Sequence, residues 1–349
     1  MRINPGLRIV DLQDGYLRIG TDDFSVSFSG LTPREREFIH SLSHPGQGAG
    51  YDGRDIPEAR RAWILGRLKE VSVPSPRYRI SGTLNDVLSP EITRASATYR
   101  THAGPLIQRR HESHVHLFGL DRCSVQLAIT LANAGVGHLH LYDLADVDLT
   151  DLGGALLTIA DLGLPRAIQV AKQLKRLHHR LDVTVHRQIS ISPADGSLVN
   201  GRSSTDSRPV VSVAMGRDSL QPAVREALTT SAHAYTQVIF SDSAATLGPM
   251  VLSGIPGCFD CLDHKIPPLT DADHDASTQF PLPPGVLIPD AASASVMAGL
   301  AAQQILMVLD GQLLPATVGA LMTFQLETGA TVTRSIPDNI LCACHSSAA

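Results

Sequence analysis

A chain of 349 residues, 43% apolar and 18% charged, is long enough for two globular domains with a sizeable core. Its net charge of -5 and 4% aromatic content exclude the basic, base-stacking surface of a nucleic-acid binder. The N-terminus lacks the apolar stretch of a secretory signal, and the most apolar late stretch, Ala291 to Leu309, is interrupted by Gln303 and Gln304, so it reads as a packed helix rather than a membrane span.

These features predict a cytoplasmic protein with no membrane partner. In a reducing compartment the five cysteines point to metal or thiol chemistry rather than disulfides.

Residues 1–80 read as a small α+β module of winged-helix type. The runs Leu7 to Leu12, Tyr16 to Gly20 and Phe24 to Phe28 are short, alternating and broken by turn residues, which predicts an antiparallel meander. Thr32-Pro33-Arg34-Glu35 supplies an N-cap, a proline at the first helical position and a capping-box glutamate. The helix it starts is expected to reach about Leu42 and bury Phe38, Ile39 and Leu42. A second helix from Pro57 to about Val71 is expected to bury Ala62, Leu65 and Leu68. Residues 81–110 are a connector, and Pro74, Pro76, Pro90 and Pro105, spread over residues 72–110, are expected to break any long element.

Residues 111–349 alternate strand and helix. Strands are predicted at Val115 to Gly119, His138 to Asp143, Asp182 to His186, Val210 to Ala214 and Val238 to Ser241. Helices are predicted at Ser124 to Ala134, closed by Gly135, at Pro165 to His179 and at Leu220 to Ala232. This alternation predicts an α/β, Rossmann-like, doubly wound, mostly parallel sheet. Solvated loops are expected over 196–208 and 267–289, and a hairpin over Thr317 to Leu326 and Ala330 to Arg334.

In a dinucleotide fold, glycines after the first strand let a phosphate approach backbone at the next helix N-terminus. Here the equivalent stretch is Gly119-Leu120-Asp121-Arg122-Cys123-Ser124, in which only Gly119 remains. Asp121 places a negative charge where phosphate would lie, and Arg122 can offset it. Asp143, at the end of the second strand, is placed to bind a ribose hydroxyl; a turn or cap residue explains it equally well.

The run from Val115 to Gly154 resembles the start of ThiF/MoeB-type adenylating proteins, the superfamily that includes ubiquitin-activating enzymes. The matching features are Ala134-Gly135-Val136-Gly137, the strand ending in Asp143, and Asp148-Leu149-Thr150-Asp151-Leu152. Gly248-Pro249, Cys258-Phe259-Asp260-Cys261 and Cys342-Ala343-Cys344 follow in the same order. The resemblance implies an ATP and magnesium site formed by Gly119, Arg122, Asp143, Arg166 and Lys172, with Asp218 as a displaced catalytic aspartate. It also exposes departures. Asp151 replaces an asparagine, Gly153-Gly154 stands where an arginine engages the triphosphate, and Arg166 replaces a lysine. Losing one preorganised cation at a developing phosphate charge costs ~3 kcal/mol, so together these departures predict a degenerate site.

Divergent ThiF-like proteins of thiazole/oxazole-modified peptide pathways resemble the chain most. The resemblance implies a homodimer whose first module binds a leader peptide as an added strand; a packing or dimerisation module fits the first 80 residues as well. The function expected is a scaffold that binds a peptide or small protein, and the alternative is an adenylyltransferase acting on a C-terminal carboxylate. A redox or NAD-type enzyme on the same sheet is a third reading, weakened by the same loop.

Cys258 and Cys261 form a C-x-x-C, and Cys342 and Cys344 a C-x-C. Four thiolates close a tetrahedral zinc site of structural type, with His345 as a possible substitute ligand. A redox pair or plain buried cysteines remain the alternatives. Cys123, near a helix N-terminus, is either a reactive thiol or a buried filler. His114 and His116 share a face of the first strand, as do His138 and His140 on the second, which predicts a histidine cluster.

Overall fold

The computed structural model describes residues 2–12, 15–43, 51–154, 156–178, 180–188, 208–231, 233–263, 289–337, 342 and 344. The loops expected over 196–208 and 267–289, apart from Arg208 and Pro289, and His345 lie outside the described residues. The chain divides into two compact units, Met1–Gln108 and Arg109–Ala349.

In the first unit, β1 (Arg2–Ile3) pairs antiparallel with β5 (Ser72–Val73). The expected meander is β2 (Ile9–Asp11), β3 (Leu17–Ile19) and β4 (Val26–Phe28), with Ile9 opposite Ile19 and Leu17 opposite Phe28. Alternation turns Leu17, Ile19, Val26 and Phe28 inward. They pack with Phe38 and Ile39 of α1 (Pro33–Ser41) and with Ile64 and Leu68 of α2 (Glu58–Leu68). The capping box forms: Glu35 N–H donates to Thr32 Oγ1 at 3.3 Å, and Thr32 N–H to Glu35 Oε2 at 2.8 Å. Helix α2 is rotated from the expected face. Ala62 is exposed and Ile64 takes the inward place, because Ile64 and Leu68 lie one turn apart.

Three helices follow where prolines were expected to break any long element: α3 (Thr83–Val87), α4 (Ser89–Tyr99) and α5 (Gly104–His111). Pro90 and Pro105 sit in first turns, where the missing N–H has no intrahelical partner to lose, so they start helices. Ile80, Leu88, Ile92 and Ile107 close a small core there.

The second unit is built on eight strands in the order β13-β12-β11-β10-β9-β6-β7-β8. The parallel strands are β6 (His114–Phe118), β7 (His138–Tyr142), β8 (Asp182–His186), β9 (Val210–Arg217) and β10 (Ala234–Phe240). An antiparallel wing follows: β11 (Ala244–Leu247), β12 (Ala320–Gln325) and β13 (Thr331–Ser335). Short, mostly small β11 shows no strand pattern of its own; pairing on both sides makes it a strand.

One face of the sheet is covered by α6 (Arg122–Asn133), α7 (Arg166–Leu177) and α10 (Ala291–Asp310), which comes after the short α9 (Phe259–Asp263) in the chain. The other face receives α8 (Pro222–Thr230) through Val224, Ala227 and Leu228. The sheet is therefore doubly wound and mostly parallel. Helix α10 has the length and mean hydropathy (1.6) of a membrane span, but Met297, Ala298, Ala301, Ile305 and Leu309 lie in the core. Arg110 ties the start of this unit to the end of α10 through two 2.6 Å bonds to the fully buried Asp310 carboxylate. Strand order reverses between β6 and β9, which puts the ligand crevice of such a sheet beyond their C-terminal ends.

Candidate functional site

Gly119 ends β6 at φ +81°, in the left-handed region that favours glycine. The backbone then turns so that Leu120 N–H donates to Asp143 Oδ2 at 2.7 Å. The N-terminus of α6 is capped from within: Ser124 N–H donates to Asp121 Oδ1 at 2.8 Å. A helix start that offers N–H groups to an anion here spends them on its own carboxylate. Burial pushes the Asp121 carboxyl up, against the opposing pull of the Ser124 hydrogen bonds.

Asp143 is equally engaged. Its side chain is 4% exposed and accepts from Leu120 N–H, from Ala145 N–H at 2.8 Å, and from Arg166 at 2.9 Å and 3.0 Å. Arg166 in turn reaches Asp151 with Nη1 at 3.0 Å and 3.1 Å, and Asp151 caps the Asp148 N–H at 2.9 Å. Burial works against the Arg166 charge, but the Asp143 and Asp151 carboxylates outweigh it and raise its pKa. Arg122 donates from Nε to Thr150 O at 2.8 Å, and its guanidinium lies over Gly153, where a Cβ would come within 2.2 Å of it.

Gly119, Arg122, Asp143 and Arg166 thus meet at one corner. Lys172 is exposed on α7, its charge felt by Asp161. Asp218 follows β9 at φ +54°, and its half-exposed carboxylate pairs with Arg217 at 3.1 Å. The crevice between Asp121, Arg122, Asp151, Gly154, Leu156 and Leu157 holds about 10 Å³, room for about one water molecule and far below the roughly 300–1,000 Å³ of small-molecule sites. The sequence reading missed Asp151 as the partner of Arg166; the three-residue spacing from Asp148 to Asp151 was the available signal of a cap. Cys123 is fully buried, and burial raises its thiol well above the ordinary value. It is a filler, not a reactive thiol.

The four remaining cysteines converge although more than 80 residues separate the pairs. Cys258 and Cys342 Sγ are 3.5 Å apart, as are Cys261 and Cys344, and all four sulfurs lie within 4.8 Å of one another. Tetrahedral zinc with Zn–S of about 2.3 Å has an S···S edge of about 3.8 Å, whereas a disulfide requires about 2.05 Å. The four can hold a metal ion. Gly257, at φ +107°, shapes the approach: a Cβ there would lie 2.6 Å from Gly319 Cα. Burial pushes the Cys342 thiol up to about 12. Burial also works to raise Cys344, but the Gly257 N–H and neighbouring thiols prevail and bring it down to about 7.

The model of the ThiF family matches residues 97–344. The chain belongs to the ThiF family. No curated protein matches this family member by sequence. Among solved structures it is similar to E. coli MccB with AMPCPP and MccA, at 16% identity and TM-score 0.68, covering 98% of both chains. E. coli MccB with ATP matches at 15% identity and TM-score 0.68, again over 98% of both chains. PaaA matches at 18% identity and TM-score 0.69, over 95% of this chain and 98% of that one. At these identities the likeness concerns the fold, which agrees with the Rossmann-like sheet of this ThiF-family chain.

Proposed function

We propose that this ThiF-family chain is a scaffold with a degenerate nucleotide site that binds a peptide or small protein. One observation carries the reading: Asp143 and the N-terminus of α6, the two groups a nucleotide would need, are both taken by intramolecular partners. Binding would require breaking the Asp143–Arg166–Asp151 network and uncapping Ser124.

Peptide binding is supported by the MccB structures solved with MccA. The first unit offers a small sheet whose outer strands, β2 and β4, are edges to which an extended chain can add main-chain hydrogen bonds. The metal of the cysteine cluster would be zinc, bound by Cys258, Cys261, Cys342 and Cys344 with no position left open for substrate. It would fasten the end of the chain to the β10–β11 region. A homodimer is supported by exposed Leu144, Leu149, Ile159, Leu164 and Ile168, which all fall in one crossover.

The alternative reading is adenylation of a C-terminal carboxylate, which attacks the α-phosphate of ATP and releases pyrophosphate. The cations Arg122 and Arg166 at the corner favour it, as does the MccB structure solved with ATP. Exchange of labelled pyrophosphate into ATP, with and without candidate peptides, separates the two. The scaffold reading expects no exchange above background; sustained exchange overturns it.

A further inference from the structure

The sheet face that packs against α8 also carries a strip of imidazoles across β6, β7 and β8. Parallel register sets His114 beside His138, His116 beside His140 and Tyr142 beside a residue of β8, His186. The rings stack across the strands. Centroids are 4.3 Å apart for His114–His138 and His116–His140, and 4.2 Å for Tyr142–His186, with interplanar angles of 11° or less. Hydrogen bonds run diagonally through the stacks: His114 Nδ1 to His140 Nε2 at 2.9 Å, and His140 Nδ1 to His186 Nε2 at 3.0 Å. His116 Nδ1 meets Tyr142 Oη at 3.0 Å. His116 is fully buried and His140 7% exposed.

Stacked rings do not aim their nitrogens at one point, so this is not the geometry of a metal centre. It is a chain of N–H···N bonds, each needing one protonated and one bare nitrogen. One added proton is tolerated at His140, because an imidazolium there donates to both neighbours. A second proton sets donor against donor and puts like charges at stacking distance in a buried strip.

We propose that His114, His140 and His186, flanked by His116, His138 and Tyr142, form a pH-sensitive latch. It joins β6, β7 and β8 while the imidazoles are neutral and releases them on multiple protonation. Among the described residues, the titratable and charged groups around the strip are few. Asp182 of β8 lies 3.5 Å from His138. His111, at the end of α5, feels His138, Arg180 and Glu112. His233, just before β10, stands 6.0 Å from His116, and Tyr235 of β10 borders the strip. Helix α8 meets this face through apolar Val224, Ala227 and Leu228, in one cluster with Tyr142. Asp182 steadies at most one positive charge, on the outer row. Burial lowers the pKa of both His111 and His233, so the rim also favours neutral rings.

The direction follows from linkage. A histidine whose folded-state pKa is depressed contributes stability that is present above the unfolded value, about 6.5, and lost as pH falls through the folded value. Each extra proton taken up on unfolding raises the unfolding constant tenfold per pH unit.

Urea unfolding of the full chain at half-unit steps from pH 7.5 to 5 tests the latch. The expected result is a rise of a hundredfold or more per pH unit at the acid end, reduced at least tenfold in His140→Leu. In case that variant does not fold, nitrogen NMR of the wild-type chain labelled at histidine gives a second reading. More than one imidazole should stay neutral a full unit below 6.5, in tautomers that alternate along the chain. A slope unchanged in His140→Leu, or imidazoles that all titrate independently near 6.5, overturns the proposal.

Discussion

Replacing Arg166 with methionine probes the corner directly, because it removes charge while keeping most of the side-chain volume. At 3 Å and an effective dielectric of about 20, each Arg166–carboxylate attraction is about 5–6 kcal/mol, most of it cancelled by the cost of burying the ions. The variant leaves Asp143 and Asp151, 4% and 3% exposed, without their countercharge. Breaking a buried pair in this way costs about 3–5 kcal/mol. The lower end applies, because 18% of the Arg166 side chain reaches solvent. We therefore expect a loss of about 3 kcal/mol in urea unfolding at pH 7. Arg166→Met with Asp143→Asn and Asp151→Asn should recover much of the loss. A deficit under about 1 kcal/mol at pH 7 would refute the view that these three side chains hold one another.

The raised pKa of Asp121 means that its folded form favours the proton, so its charge subtracts stability as pH rises above the unfolded value. Asp121→Asn keeps the cap and should stabilise the chain at pH 7 by up to about 1 kcal/mol, with the gain vanishing near pH 4; a loss of stability at pH 7 contradicts this. The cysteine cluster predicts one zinc per chain by elemental analysis. Its four thiols should react with a thiol reagent only after chelation, and Cys258→Ser should abolish loading. Full loading in Cys258→Ser rules the cluster out as the site. Gly257→Ala should lower loading as well, since its Cβ would strike Gly319; normal zinc content in that variant counts against the packing argument.

Much of the fold was legible because its signals are local. The Thr32 capping box, Gly135 at φ +95° after α6, and the alternating runs of β6 and β7 each encode their own geometry. The cysteine pairs were legible from spacing, since few arrangements put two thiols three residues apart after a Pro-Gly turn. The state of the corner was not. A strand-end aspartate such as Asp143 suits a ribose or an arginine equally, and only the tertiary fold brings Arg166, 23 residues later, onto it. Pro90 and Pro105 read as breaks because a first-turn proline differs from an interior one only in register. The histidines at 114, 116, 138 and 140 were seen to share faces, but the hydrogen-bonded chain through His186 required the register of β8.

Calorimetric titration of the purified chain with magnesium and ATP tests the closed corner most directly. No heat of binding is expected up to millimolar nucleotide. Binding at micromolar ATP, lost in Asp143→Ala, would contradict it.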